Sequence, residues 1–171
     1  GDSKDVSGGE HPETSIAINN LTAALRGLGN LNKATKMFQK VFDRIRHISG
    51  VEHLDTISAI SNFAIMLRAL GQLDKAGKTF QKVLDIRTRI LGEEHPETIV
   101  AMNNLANILG ELGQLGEAAK IKKDVLDKRR RMLSEDHPNT ISTTNNLATT
   151  LKQLGQLDKA AKLFRERGGA P

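Results

Sequence analysis

A period of 42 residues runs through this chain: His11, His53, His95 and His137 stand 42 apart, as do Thr14, Thr56, Thr98 and Thr140, Gly29, Gly71, Gly113 and Gly155, and Ala34, Ala76, Ala118 and Ala160. Self-similarity at a fixed spacing of this size means that one supersecondary unit is reused, each copy too small to bury its own apolar face. Within a unit, Ile99, Met102, Leu105, Leu109 and Leu112 step by three and four residues, which places them on one helical face. After Gly113 the spacing resumes through Leu115, Ala118, Ile121, Val125 and Met132, and in the preceding unit through Ala76, Phe80, Val83 and Ile90. Each unit is therefore predicted as a pair of helices, A and B.

Punctuation residues keep the same register. The A-to-B joints read Leu28-Gly29-Asn30-Leu31, Leu70-Gly71-Gln72-Leu73, Leu112-Gly113-Gln114-Leu115 and Leu154-Gly155-Gln156-Leu157, where a glycine can take the left-handed conformation that closes helix A. The B-to-A joints carry Gly92-Glu93-Glu94-His95-Pro96-Glu97-Thr98 and its counterparts ending at Thr14, Thr56 and Thr140. Proline in a first helical turn loses no hydrogen bond, and acids nearby suit the positive helix end. Three of the four prolines sit at these joints and the fourth is Pro171, so helix interiors are proline-free.

These helices predict an all-α, right-handed α-solenoid of stacked helix-turn-helix repeats at 10–50, 51–92, 93–134 and 135–167, the last one shorter, with a lead-in over 1–9 and a tail over 168–171. Hydrophobic residues at 38% and charged residues at 26% fit a chain that buries a core and keeps a wet exterior. Cysteine is absent, which removes disulfides and thiolate metal sites and makes the cytoplasm the expected compartment. No apolar run approaches the roughly 20 residues of a membrane helix, so no membrane partner is expected. The fourth B helix stops near Arg167 at Gly168-Gly169, leaving Leu157, Leu163 and Phe164 as an uncovered surface. That predicts a longer array and a tendency to associate end to end.

Asn104-Leu105-Ala106, Leu109, Gly113, Leu115, Ala118 and Val125 fall where tetratricopeptide repeats place their small and large packing residues, and the other three repeats align without gaps. The 42-residue period, with its His-Pro-Glu-Thr and Asn-Asn-Leu-Ala wording, resembles the repeats of kinesin light chains, nephrocystin and the sensor arms of NLR-like regulatory ATPases. The resemblance covers nearly the whole chain and implies a module that binds another protein and needs no cofactor. One position departs from the pattern: Lys122 stands where Phe38, Phe80 and Phe164 stand in the other repeats, so a looser third B helix is expected.

Chemistry-bearing motifs are few. Ala76-Gly77-Lys78-Thr79 looks like the end of a phosphate loop, but Gly71 precedes Gly77 by six positions where the motif needs five, and no strand leads into it. The four periodic histidines would lie on helices ~8–10 Å apart, too far to share a metal, so a capping or turn role is expected. Asn20-Leu21-Thr22 matches a glycosylation acceptor but falls inside a predicted helix. No nucleophile stands near a base in any motif, so catalysis is not expected. Seven cations between Lys120 and Arg131, against Asp124 and Asp127, form the rival signal for nucleic acid; with 3% aromatics and no Trp or Tyr, a solvated helix face is the favoured reading.

Helix A carries the sharper signal. Asn20, Asn62, Asn104 and Asn146 recur at one register, preceded by Asn19, Ser61, Asn103 and Asn145 and joined by Asn107. Asparagine inside a helix is roughly 0.5 kcal/mol worse than alanine, so its repetition needs a cause. Either the amides form a hydrogen-bond ladder between repeats, or they line a groove and bind the backbone of an extended peptide. One to two turns further on stand Arg26, Arg68 and Lys152, with Gly110 breaking the series and Glu111 beside it, which makes an acidic peptide the complementary ligand. Kinesin light chains take acidic segments with an apolar anchor in this groove, and the resemblance implies the same ligand class. Co-chaperone repeats clamp a terminal carboxylate with a lysine one turn earlier; Ile16, Ser58, Val100 and Ser142 occupy those positions and exclude that mode.

Overall fold

A computed structural model describes residues 31–50 and 53–167. His11, Thr14, Asn19, Asn20, Arg26, Gly29, the Asn20-Leu21-Thr22 acceptor and the segments 1–9 and 168–171 lie outside the described residues. Among those described there are seven α-helices and no strand: α1 (Leu31–Ser49), α2 (Leu54–Ala69), α3 (Leu73–Leu91), α4 (Pro96–Glu111), α5 (Leu115–Met132), α6 (Pro138–Gln153) and α7 (Leu157–Arg167). The A helices are α2, α4 and α6, the B helices α1, α3, α5 and α7. Every helix packs on its neighbours in sequence, which is the one-dimensional stacking of a solenoid.

Local chemistry fixes the helix ends. At each A-to-B joint the glycine is left-handed, with φ of +73° at Gly71, +78° at Gly113 and +73° at Gly155. The amide of Gln72 donates to the Leu67 carbonyl at 2.9 Å and that of Gly71 to Arg68 at 2.9 Å, so two otherwise orphaned carbonyls of α2 are satisfied by one turn. Gly113 with Gln114 and Gly155 with Gln156 repeat the pattern. A Cβ at Gly113 would meet nothing within 4 Å, so its cost is conformational alone. Gly113→Ala is expected to destabilise by ~1 kcal/mol, whereas Gly116→Ala, with open space and no positive φ, should stabilise slightly. Paired chemical denaturation curves test this; a shift of the same sign for both contradicts it.

At the other ends two of the periodic histidines, His95 and His137, act as caps. His95 Nδ1 accepts the Glu97 amide and His137 Nδ1 the Asn139 amide, each at 3.1 Å, with Pro96 and Pro138 opening the helices behind them. Gly77, Lys78 and Thr79 lie inside α3, where the Thr79 hydroxyl bonds back to the Lys75 carbonyl at 2.7 Å. This segment is ordinary helix, not a loop.

No repeat closes a core by itself. One cluster joins Ala64 and Leu67 of α2, Ala76 and Phe80 of α3, and Leu105 and Ile108 of α4; another joins Leu126 of α5, Leu147, Ala148 and Leu151 of α6, and Ala160 and Leu163 of α7. Leu163 therefore corrects the expected uncovered surface, because it is buried against the preceding helices; Leu157 and Phe164 are exposed as expected.

The junction around Lys122 differs in kind from its neighbour. Phe80 and Ile108 share an apolar cluster, and the residues 42 positions on are Lys122 and Thr150. Lys122 is buried at 7% exposure, and its Nζ donates to Thr150 Oγ1 at 3.0 Å, which in turn donates to the Asn146 carbonyl at 3.1 Å. Burial holds the Lys122 ammonium below its ordinary pKa. A polar pair thus replaces an apolar one in the core.

Candidate peptide-binding face

The asparagine stripe is carried by α2, α4 and α6, whose apolar stripes are committed to the core. Thr98, Ile99, Ala101, Leu105, Ala106 and Ile108 of α4 are buried, while Asn103, Asn104 and Asn107 between them are half-buried. One repeat later Asn145 and Asn146 are exposed. Among the described residues the side-chain amides of Asn103, Asn104, Asn107, Asn145 and Asn146 make no hydrogen bond, so Asn104 and Asn146 are not rungs of a ladder. Asn62 stands half-buried at the same register of α2, and Ser61 beside it bonds back to the Ile57 carbonyl at 3.0 Å.

The cations expected next to this stripe are not equivalent. Arg68 at the end of α2 pairs with Glu111 at the end of α4, both partly exposed. That bridge crosses from one A helix to the next, so these helix ends present to a common surface. Lys152 of α6 is exposed and makes no ion pair among the described residues. Arg26 lies outside them. Of the two described cations beside the stripe, one is thus engaged by Glu111 and one is uncompensated.

The basic run of α5 is not the solvated face expected of it. Lys128 is buried and bonds Glu94 at 2.7 Å; Arg131 bonds the same carboxylate at 3.1 Å; Arg130 pairs with Glu135 at 2.8 Å and Glu166 at 3.6 Å. Hydrogen bonds from Lys128, then from Arg131, hold the Glu94 carboxyl below the usual carboxylate range. Lys123 pairs with Asp127 at 2.8 Å, and Lys122 is buried. Arg129 donates to the Asn139 carbonyl at 3.1 Å and to the Thr143 hydroxyl, and one repeat earlier Arg87 donates to the Glu97 carbonyl at 3.0 Å while pairing with the Glu97 carboxylate. Arg87 and Arg129 therefore form a recurring clamp from a B helix onto the start of the next A helix. Their spacing of 42 is the sequence signal that could have found it. Of the seven cations, Lys120 alone has no protein partner among the described residues.

Stacked helix pairs with left-handed glycine joints and a polar stripe left over from packing define a helical-repeat protein-interaction scaffold. The profiles agree: tetratricopeptide repeat matches cover residues 55–131 and, with a second profile of the same description, 14–55 and 140–166. The chain belongs to the tetratricopeptide repeat family. Its fold is similar to the nearly identical TPR-like repeats of a kinesin light chain-type protein from Podosopora anserina, with TM-score 0.82 and 23% identity over 93% of this chain and 75% of that one. It is also similar to BtubC (BKLC) from P. vanneervenii, with TM-score 0.78 and 17% identity over 90% and 61% of the two chains. Apo RapI gives TM-score 0.73 and 14% identity over 94% and 57%. No curated protein sequence matches the chain significantly. Among the described residues no helix is long and apolar enough to cross a membrane.

Proposed function

We propose that the chain is a protein-interaction module whose A-helix face binds an extended acidic peptide, with the asparagine amides bonding the ligand backbone and Lys152, Arg68 and Arg26 selecting charge. The observation that carries this reading is the set of asparagines on α4 and α6 whose amides have no protein partner among the described residues. Unfavourable helix residues such as Asn104 and Asn146, whose amides have no protein partner among the described residues, are available to a ligand that offers backbone donors and acceptors. Aligned parallel to such a row, an extended chain gains one bond after another without demanding a particular sequence. Family membership supports the interaction role; the acidic preference rests on the cations and on the resemblance to kinesin light chains.

Titrating an acidic peptide library by fluorescence anisotropy tests it, at low and moderate salt. Asn104→Ala and Arg68→Glu should each weaken the best binder at least tenfold, the equivalent of ~1.4 kcal/mol. Glu111→Gln should do the reverse and strengthen binding several-fold, because Arg68 is then released from its present partner. Unchanged affinity in all three variants would rule out this face as the site.

A further inference from the structure

On the B-helix side the array has a second surface. Between α1 and α3, over α2, lies a groove of about 480 Å³ floored by Phe63 and Leu67 and rimmed by Lys36, Lys75 and Lys78. Between α5 and α7, over α6, lies another of about 450 Å³, floored by Leu147, Leu151 and Leu163 and rimmed by Lys120, Lys123, Lys159 and Lys162, with Glu166 as its acid. These are one site used twice: Phe63 and Leu67 lie 84 residues before Leu147 and Leu151, and Lys36, Lys75 and Lys78 lie 84 before Lys120, Lys159 and Lys162. None of the helix A asparagines lines either groove. At the intervening junction Glu117 takes the register of Lys75 and Lys159, which separates the two cationic sites.

Lys36, Lys75, Lys78, Lys120 and Lys159 are exposed and have no ion-pair partner among the described residues; Lys123 pairs with Asp127 and Lys162 with Glu166. Clustered like charges without counter-charge repel, and an anionic partner relieves them. The floor selects among anions. Phosphates gain nothing from leucine, and the Phe63 ring is already stacked on Phe38 with centroids 5.5 Å apart, so that face is not offered to a base. A leucine floor with lysine stems along its walls suits carboxylates flanking apolar anchors. A groove between two helices that both pack on a third beneath them is also a seat that a further helix fits by ridges and grooves.

We propose that these two lysine-rimmed grooves dock acidic amphipathic helices of a partner protein, on a surface separate from the asparagine face. The probe is a synthetic helical peptide of about 18 residues, roughly five turns, with leucines at i, i+3, i+4 and i+7 spacing and glutamates elsewhere. Isothermal titration of the wild-type chain should give two sites. Lys36→Glu with Lys78→Glu, or Lys120→Glu with Lys162→Glu, should reduce the count to one and weaken the altered site more than tenfold. Lysine-to-glutamine pairs, with circular dichroism melts of each variant, serve where charge reversal disturbs the fold. Equal binding by a scrambled peptide of the same composition, preference for a single-stranded oligonucleotide, or loss of binding in Asn104→Ala would each overturn the proposal.

Discussion

Replacing Ala118 by phenylalanine should lower the stability of the array by ~3 kcal/mol, at the upper end of overpacking costs. Ala118 is fully buried, and Ala76 and Ala160 at the same register are buried to within 1%. Here α4 and α5 lie close together: a Cβ built on Gly110 would lie 3.9 Å from that of Ala118. An aromatic ring has nowhere to go unless α5 moves away from α4, and because α5 also packs on α6, that movement disturbs the stacking of the next repeat as well. Lys123→Ala is the control. It removes one exposed i,i+4 pair with Asp127, a loss of ~0.5 kcal/mol or less. Urea denaturation of both variants beside the wild type decides the matter; equal midpoints would mean that α4 and α5 do not approach at Ala118.

The opposite sign is expected at the next junction. Lys122→Phe combined with Thr150→Ile rebuilds the Phe80 and Ile108 pairing one repeat later, and should raise stability by about 2 kcal/mol by exchanging a buried ammonium for apolar surface. Linkage gives this gain a pH signature. Burial lowers the Lys122 pKa in the folded chain, so below 10.5 the unfolded chain binds more protons there, and wild-type stability at this site rises as pH climbs from the folded pKa toward 10.5. The advantage of the double variant should therefore shrink on the alkaline side. Comparing the two proteins at matched pH values cancels the contributions of the other lysines. A double variant less stable than wild type, or an advantage that grows with pH, would contradict the buried, desolvated lysine.

The fold was legible because its determinants are local and repeated. Glycine at 71, 113 and 155, proline at 96 and 138, and apolar steps of three and four mark the helix pairs; α4 and α6 begin at their prolines, and α2, α4 and α6 each end two residues before their glycine. Histidine capping was legible for the same reason, since His95 and His137 bond to amides two residues away. Long-range partners were not. Arg68 reaches Glu111 across 43 positions and Lys128 reaches Glu94 across 34, and a stacking period does not encode how far a long side chain extends or which rotamer it takes. Local charge density consequently made α5 read as a basic surface, although its side chains spread around the helix to different partners. The lysines at 36, 78, 120 and 162, by contrast, share the period of the histidines but are dilute along the chain; only stacking brings them together.

The side-chain amides themselves provide the most direct test of the asparagine face. In a ¹⁵N-labelled chain titrated with the tightest acidic peptide, the side-chain resonances of Asn103, Asn104, Asn107, Asn145 and Asn146 should shift in a saturable manner, with one binding constant that weakens as salt screens Lys152 and Arg68. Saturable peptide binding that leaves all five amide signals where they were would contradict the claim that this face is the binding site.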